Sequence, residues 1–380
     1  MNKAQDKVRI RPKILAAGMM PPPIGGQALM FETAVKALDT RADVWTVDLQ
    51  VQGNIGEAGL LSLPKLRRFA AIVGRILLCA ARGAPFDVLY YCPSGPSKIG
   101  AIKDIICLAL LRPVCRKTVY HFHATGGVQY LLDSNPIIAK LARKSLWKPD
   151  ISIRCALVSP DDAALCESRV TKIVVNGIPD PLDLYPDGWQ WRRPDSLILT
   201  FVGAMTEEKG IFDIVELARL LQSKGLDPDV RCIGEGTYEE VSKFDKLVRE
   251  HGLENNVRRL GVRNGREKFD LIGSSAFFIF PTFFRAETQP LAVIEASAMG
   301  VPSVVSDWRG LRSIVEDGVN GYVLPVRDMS ATADCIAQAW TCGDLESLSA
   351  KARQKFETSF KLDVFEENIS RAILDTADES

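Results

Sequence analysis

The sequence predicts an α/β protein with two Rossmann-like parallel-sheet domains that face each other across a cleft. Short apolar segments of strand length alternate with longer amphipathic segments almost from end to end, a pattern typical of parallel α/β sheets. An irregular, Pro-rich stretch at 178–194 interrupts this alternation near the middle. The length of 380 residues suits two domains, each with a core of its own.

Each half of the chain supplies its own set of strands and helices. In the first half we expect strands at 13–18, 43–49, 87–91, 117–123, 151–158 and 172–175, and helices at 27–38, 66–81, 98–111, 137–146 and 161–168. In the second half we expect strands at 197–202, 230–233, 257–260, 277–280, 303–306 and 321–324, and helices at 211–224, 238–250, 266–274, 291–299, 331–340, 345–360 and 364–374.

These elements define the expected domains. The first domain spans 1–178, a linker spans 179–195, the second domain spans 196–360, and a C-terminal helix at 361–380 packs back on the first domain. Ligands of open parallel sheets bind at the carboxyl ends of the strands. The loops that follow the strands are therefore the candidate site.

The composition excludes several classes of protein. Hydrophobic residues make up 47% and charged residues 25% of the chain, and no apolar run approaches the roughly 18 residues of a membrane-spanning helix. The basic segment 1–13 lacks the apolar core of a signal peptide. Neither a dinucleotide fingerprint after the first strand nor a P-loop motif is present. We expect a cytoplasmic protein.

Cysteine and histidine usage predicts no structural metal. The nine cysteines form no C-x-x-C pair, and several lie in apolar runs, so they are interpreted as reduced, buried residues. Three histidines are too few for an ordinary zinc site. The single D-x-D match, Asp227-Pro228-Asp229, precedes a strand and is interpreted as a turn.

The net charge of zero hides an asymmetry between the halves. Residues 1–180 contain 24 Lys and Arg against 14 Asp and Glu; since the chain holds 47 of each kind, 23 and 33 remain for 181–380. The range 58–86 contains no acidic residue, and five basic residues lie among the apolar residues of a helix candidate there. This pattern fits either a helix on an anionic membrane or an ordinary packed helix with a basic outer face.

Two glycine-containing loops are candidate phosphate contacts. Gly25 and Gly26 lie between the first strand and the first helix, where a backbone can approach a phosphate at a helix N-terminus. Gly203 and Lys209 follow the first strand of the second half in the same way. A lysine near a helix start is explained either by an anionic partner or by simple solvation.

Histidines and glutamates follow two other strands. Alternation places His121 and His123 on the same face of their strand. A histidine at a strand end more often has a structural role than a functional one, and His123, nearer the loop, is the better candidate for reaching substrate. Glu287 lies in a loop after a strand, and Glu295 lies on the helix that begins near Pro290. A carboxylate in so apolar a segment requires a hydrogen-bonding partner, which sugar hydroxyls could supply.

Taken together, these residues resemble glycosyltransferase family 4. The resemblance rests on Gly25-Gly26, His123, Lys209-Gly210, the E-x7-E pair Glu287 and Glu295, and the run 300–307. Asn176-Gly177-Ile178 and 314–321 add to it, and it covers nearly the whole chain.

The resemblance implies a GT-B fold and a retaining, metal-independent glycosyltransferase with no cofactor beyond its nucleotide-sugar substrate. It makes the first domain the acceptor side and the second the domain of the nucleoside-diphosphate sugar donor. The sugar would pass to a glycan or lipid-linked acceptor in polysaccharide or glycolipid synthesis, without nucleic-acid partners. An anionic membrane surface could be met through 58–86, making the protein peripheral on the inner face of the cell membrane.

The resemblance also implies residue roles. His123 and Glu287 would contact the donor sugar region, Glu295 the ribose, and Lys209 the diphosphate. Backbone amides of Thr288 and Gln289, just before Pro290, would meet the sugar.

Two departures from the family pattern leave other interpretations open. Ala204 stands where an arginine is common, and Thr288-Gln289 replaces a frequent Gly-Phe pair. The chain could therefore be an inactive relative that binds nucleotide sugars. A sugar-nucleotide epimerase of the same fold is a separate alternative.

Overall fold

The computed structural model describes residues 11–22, 25–51, 63–158 and 160–378. Most of the basic N-terminal segment, residues 23 and 24 of the first Gly-containing loop, residues 58–62 of the basic stretch and the last two residues of the C-terminal helix candidate lie outside the described residues.

The first unit is built on a six-stranded parallel sheet of order β2-β1-β3-β4-β5-β6. Its strands are β1 (Lys13–Gly18), β2 (Asp43–Asp48), β3 (Phe86–Tyr91), β4 (Cys115–Phe122), β5 (Ile151–Arg154) and β6 (Val170–Ile173). Its helices are α1 (Gly26–Asp39), α2 (Leu63–Gly83), α3 (Lys98–Leu111), α4 (Gly127–Leu132), α5 (Pro136–Leu146) and α6 (Asp162–Leu165).

The order of the strands decides which helices share a face of this sheet. The chain moves in one direction across the sheet from β2 to β5, and α2, α3 and α5 connect these strands in turn. Right-handed crossovers place all three helices on one face and α1, which connects β1 to β2, on the other. Contacts of α3 with both α2 and α5 agree with this arrangement.

The second unit is built on another six-stranded parallel sheet, of order β12-β11-β10-β7-β8-β9. Its strands are β7 (Ile198–Val202), β8 (Asp229–Ile233), β9 (Val257–Gly261), β10 (Phe277–Phe280), β11 (Ser303–Ser306) and β12 (Gly321–Leu324). Its helices are α7 (Ile211–Ser223), α8 (Tyr238–Glu250), α9 (Gly265–Gly273), α10 (Leu291–Ala298), α11 (Met329–Cys342) and α12 (Leu345–Ser359). The last helix, α13 (Leu362–Asp378), follows.

The central strands are buried on both faces, which explains their continuous apolar sequences. All four residues of β10 are buried, as are Leu199 and Phe201 of β7. They belong to the core cluster of the second unit, and the first unit has a separate core cluster. Each sheet therefore carries a core of its own.

The contacts within the chain divide it near residue 175. The first unit holds the described residues up to Arg154, 160–174 and those from Glu366 onward, and the second holds 155–158 and Val175–Phe365. The expected linker 179–195 lies in the second unit, where Tyr185 and Trp191 are buried. Most of α13 belongs to the first unit, in which Glu367 pairs with Arg41 at 2.6 Å.

The prediction of two parallel-sheet α/β domains is confirmed by the two six-stranded sheets with their covering helices. Two of the local differences have simple causes. The strand expected at 151–158 ends at Arg154, where the chain passes into the second unit. Helix α4 was not predicted, because its six residues are too few to show an apolar period. Among the described helices, none is long and apolar enough to cross a membrane.

Candidate functional site

The loop after β7 brings Lys209 to the carboxyl end of the second sheet. Gly210, the next residue, has a φ of +82°, and a Cβ there would lie 2.4 Å from the carbonyl oxygen of Pro281. Only glycine combines this left-handed conformation with so close an approach. The backbone N–H of Phe283 donates to the Glu208 carbonyl at 2.8 Å. The loop that carries Lys209 is thereby fastened to the loop after β10.

Glu287, in the loop after β10, is paired directly with Lys209. The lysine Nζ lies 2.5 Å from Glu287 Oε2, and the Thr282 hydroxyl donates to the same oxygen at 3.2 Å. Their side chains are only 18% and 8% exposed, and the ammonium also lies within about 5 Å of the Phe280 and Phe284 ring centroids. Removing one member of so buried a pair leaves an uncompensated charge, which is strongly destabilising.

Glu295, on the second turn of α10, has a lysine partner that the sequence did not indicate. Lys268 Nζ, on α9, donates to Glu295 Oε1 at 2.6 Å, and the two side chains are 17% and 16% exposed. This contact fixes one carboxylate oxygen of Glu295. No motif marks this pair, because Lys268 lies in an ordinary amphipathic helix 27 positions before Glu295.

The segment from Thr288 to Pro290 is held rigidly before α10. Gln289 accepts the Asn176 backbone N–H at 2.6 Å and donates to the Ser313 hydroxyl at 3.2 Å. A Cβ at Gly310 would lie 1.9 Å from the Thr288 carbonyl oxygen, so this glycine allows the loop to pack closely. Pro290 is the N-cap of α10. The Gln289 side chain thus serves the structure, and its backbone carbonyl also accepts a hydrogen bond from the Asn176 side-chain amide at 3.1 Å.

Gly203 and Ala204 lie where the loops after β7 and β8 approach. A Cβ at Gly234, with a φ of +146°, would lie 1.8 Å from the Gly203 carbonyl oxygen. Ala204 is exposed and supplies no charge. Arg285, two positions before Glu287, is also exposed and makes no ion pair among the described residues. It is the available cation nearest in sequence to the paired glutamate.

In the first unit, His121 and His123 lie together as the strand alternation predicts. Their ring centroids are 3.9 Å apart, and His121 Nδ1 lies 2.8 Å from the Tyr90 hydroxyl oxygen. Burial lowers the pKa of His123 to about 3, and burial together with the neighbouring His123 lowers the pKa of His121 well below its ordinary value. Both imidazoles are therefore neutral at neutral pH and can exchange hydrogen bonds without carrying charge.

Gly25 lies at the N-terminus of α1 with an extended backbone. It is the N-cap residue, and the helix has neither a side-chain cap nor an acidic residue in its first turn, which begins with Gly26. A Cβ at Gly25 would meet nothing within 4 Å. The first-turn amide groups of α1 are thus not capped by a side chain of this helix, and phosphate contact at Gly25 and Gly26 stays a prediction.

The second unit contains a segment that is similar to a known protein family. The sequence model of the family Glycosyl transferases group 1 matches residues 189–356. This range includes Lys209, Lys268, Glu287 and Glu295 and lies within the second unit.

Two curated relatives are similar to parts of the chain. The putative colanic acid biosynthesis glycosyltransferase WcaL of Salmonella typhimurium is 27% identical over 165 residues, covering 42% of this chain and 40% of the relative. The UDP-Gal:alpha-D-GlcNAc-diphosphoundecaprenol alpha-1,3-galactosyltransferase of Escherichia coli is 22% identical over 333 residues, covering 75% and 85%. The first relatives are thus matched over about two fifths of their length.

A solved structure shares the fold over nearly the full chain. HepE of Anabaena, crystallised with UDP and glucose, superimposes with a TM-score of 0.68 at 17% identity, covering 96% of this chain and 100% of that chain. This likeness agrees with the GT-B fold implied by the sequence resemblance. The relatives support the predicted glycosyltransferase class.

Proposed function

We propose that this protein is a retaining glycosyltransferase that moves a sugar from a nucleoside diphosphate to a glycan or lipid-linked acceptor. The observation that carries the proposal is the Lys209–Glu287 pair at the carboxyl end of β10, in a segment that matches a glycosyltransferase family. HepE was crystallised with UDP and glucose, and one relative is named for UDP-Gal. Uridine diphosphate sugars are therefore the first donors to test.

Lys209 is the residue that we assign to the departing diphosphate. Departure of a nucleoside diphosphate develops negative charge, which a fixed cation and backbone amides stabilise without reorganisation. The N–H groups of Thr288 and Gln289 precede the N-terminus of α10, where the helix dipole also favours an anion. Glu287, released from Lys209, would accept hydrogen bonds from the donor sugar.

Glu295 is assigned to the ribose of the donor. Its carboxylate is held through one oxygen by Lys268 at 2.6 Å, so the other oxygen can accept a ribose hydroxyl. Lys268 is thus a positioning residue. His123, in the first unit, is the residue that we assign to orienting the sugar, and Gly25 and Gly26 are assigned to phosphate contact.

We propose that the reaction needs no metal ion. The fixed ammonium of Lys209 supplies positive charge for the leaving group, and the D-x-D carboxylates are already paired. Asp229 pairs with Arg231 and Arg258, and Asp227 accepts from Asn256. These contacts support the interpretation of that motif as a turn.

We also propose that the protein binds the cytoplasmic face of an anionic membrane through α2, α3 and α5. Exposed leucines and isoleucines lie along these helices: Leu63, Leu66, Leu77, Leu78, Ile102, Ile137 and Leu141. Exposed basic residues accompany them: Arg67, Arg75, Arg82, Lys98, Lys140, Arg143 and Lys144. Apolar and basic groups on one sheet face suit peripheral binding and a lipid-linked acceptor.

A thermal-shift screen of nucleotide sugars tests the donor assignment. We expect one uridine diphosphate sugar to raise the unfolding midpoint of the wild type, and Glu295→Ala to lose most of that shift. Glu254→Ala, an exposed glutamate of the same unit, is the matched control and should keep the shift. A wild type that responds to no nucleotide sugar, or a Glu295→Ala variant that responds equally, would contradict the assignment.

Ala204 favours one second candidate, an inactive relative that binds nucleotide sugars. The missing arginine weakens the cationic surroundings of the diphosphate, and Arg285 is the available replacement. Donor turnover separates the candidates. Binding without transfer or hydrolysis favours the inactive relative, whereas a changed sugar without an acceptor indicates an epimerase.

A further inference from the structure

Three potential metal ligands converge in the first unit. Cys92, His121 and His123 each offer one ligand atom, and these atoms all lie within 4.8 Å of one another. Cys92 and His121 are 1% and 0% exposed, whereas His123 is only partly buried. The cluster is thus enclosed at Cys92 and His121, and the His123 ring nitrogen Nε2 is also buried although part of that residue is exposed.

Strand pairing creates this cluster. Cys92 follows the last residue of β3, and His121 lies in β4, which pairs with β3 in the register Tyr91 to Tyr120. His123 is the first residue after β4. Nearly 30 residues separate Cys92 from the histidines, so the spacing of cysteine and histidine along the sequence does not reveal the cluster.

The donor set suits a borderline divalent cation. Thiolate and imidazole are both donor types that zinc accepts, and three protein ligands leave a fourth position open to water or substrate, as in catalytic zinc sites.

Tyr90 supports the geometry of the cluster. Its hydroxyl contacts His121 Nδ1 at 2.8 Å, which holds the ring of that histidine in place. Metal-binding histidines generally use their second ring nitrogen for such a contact. Tyr90 is fully buried and stacks on Phe31, so its hydroxyl is itself fixed.

We propose that Cys92, His121 and His123 bind Zn²⁺ and that this binding inhibits the protein by withdrawing His123 from the donor sugar. The metal site stands on the three ligands alone, whereas the inhibition rests on the function proposed above. Zinc would thus act as an inhibitor, and the transfer reaction itself would need no metal ion.

Cobalt substitution tests the metal site independently of activity. Co²⁺ bound by a thiolate gives a charge-transfer absorption in the near ultraviolet, and its visible bands report four-coordination. We expect about one Co²⁺ per chain with the thiolate band, and loss of that band in Cys92→Ser. Cys107→Ser, at another fully buried cysteine of the same unit, is the matched control and should keep it. No thiolate band, or an unchanged one in Cys92→Ser, would overturn the site.

A second ligand variant tests the site if Cys92→Ser fails to fold. His123→Asn changes a partly exposed ligand, and we expect it to weaken Co²⁺ binding at least about tenfold, since even loss of an outer-shell partner has an effect of that size. Equal Co²⁺ affinity in His123→Asn and wild type would exclude His123 as a ligand.

The inhibition is tested by titrating Zn²⁺ against donor binding and turnover. We expect inhibition that a chelator reverses, with the half-inhibiting concentration raised at least about tenfold in Cys92→Ser. Cobalt binding without inhibition of the protein by zinc would support the metal site and refute its regulatory role. An absence of donor binding in metal-free protein would instead refute the function proposed above, and the cobalt result would stand.

Discussion

The ammonium nitrogen of Lys268 lies 2.6 Å from Glu295 Oε1, joining α9 to the helix that follows the candidate sugar-binding loop. Both side chains are largely buried, so this pair fixes the Glu295 carboxylate more firmly than an exposed pair would. Lys268, for which the sequence predicted no role, is therefore linked to Glu295, the proposed ribose contact.

Removing the Lys268 charge should weaken nucleotide binding. We expect Lys268→Met to raise the Kd for UDP roughly tenfold, equivalent to about 1.4 kcal/mol, because Glu295 loses its orienting partner. Lys268→Arg should retain most of the affinity. Isothermal titration calorimetry measures both, and tighter UDP binding to Lys268→Met would show that the lysine competes with the ribose instead of positioning its ligand.

Lys209→Ala should slow transfer mainly through kcat. Loss of a group that stabilises developing negative charge costs on the order of 100- to 1,000-fold in rate, whereas Lys209→Arg retains the charge and should lose less. Initial rates over a range of donor concentrations separate kcat from KM.

A second experiment separates the catalytic role of Lys209 from its structural role in the buried ion pair with Glu287. Lys209→Met leaves Glu287 uncompensated, so we expect a lower unfolding midpoint, and the double variant with Glu287→Gln should recover part of it without recovering activity. If the double variant regained the wild-type rate, the pair would be purely structural.

Gly210→Ala should destabilise the second unit more than Gly225→Ala does. Both glycines have a φ near +80°, but a Cβ at Gly210 would lie 2.4 Å from the Pro281 carbonyl oxygen, whereas a Cβ at Gly225 would meet nothing within 4 Å. We expect about 1 kcal/mol for Gly225→Ala from the backbone alone and a larger loss for Gly210→Ala. Thermal unfolding midpoints compare them, and equal midpoints would show that the loop moves away freely.

Neutralising α2 should weaken vesicle binding in proportion to the charge removed. Arg75→Gln with Arg82→Gln should lose about 2 kcal/mol of binding to phosphatidylserine vesicles at low salt, at roughly 1 kcal/mol per arginine. Lys246→Gln with Lys351→Gln, two exposed lysines of the second unit, is the matched control. Co-sedimentation measures the bound fraction, and equal losses in both double variants would argue against a specific membrane face.

Asp180 should make the second unit sensitive to acid. Burial raises the pKa of Asp180, but hydrogen bonds and charge from Arg353 outweigh it and hold this pKa below the ordinary value of 3.8. The stabilisation is complete above that value and is lost as pH falls below it, because the unfolded chain takes up the proton first.

We therefore expect the midpoint difference between wild type and Asp180→Asn to shrink when the pH falls from 7 toward 3. Asp183→Asn, an exposed aspartate of the same segment, should show no such change. A midpoint difference for Asp180→Asn that stays constant with pH would contradict the assignment.

The periodicity of the sequence predicted the strands well because parallel strands buried on both faces are short, apolar and bounded by polar or glycine-containing loops. Segments such as 277–280 and 303–306 match their strands residue for residue. The site was less predictable. Lys268 and Cys92 reach their partners through packing between elements distant in sequence, and neither position differs locally from an ordinary helix or strand-end residue.

The contact between Lys209 and Glu287 also bears on product release. Before the donor arrives, the lysine already has a buried counter-charge, so the donor must displace that partner and gains only the difference between two favourable contacts. When the sugar has left, the same carboxylate can reclaim the lysine and help expel the nucleoside diphosphate. We expect this competition between Glu287 and the diphosphate for Lys209 to weaken binding of the released nucleoside diphosphate, so that its dissociation does not limit the rate of turnover.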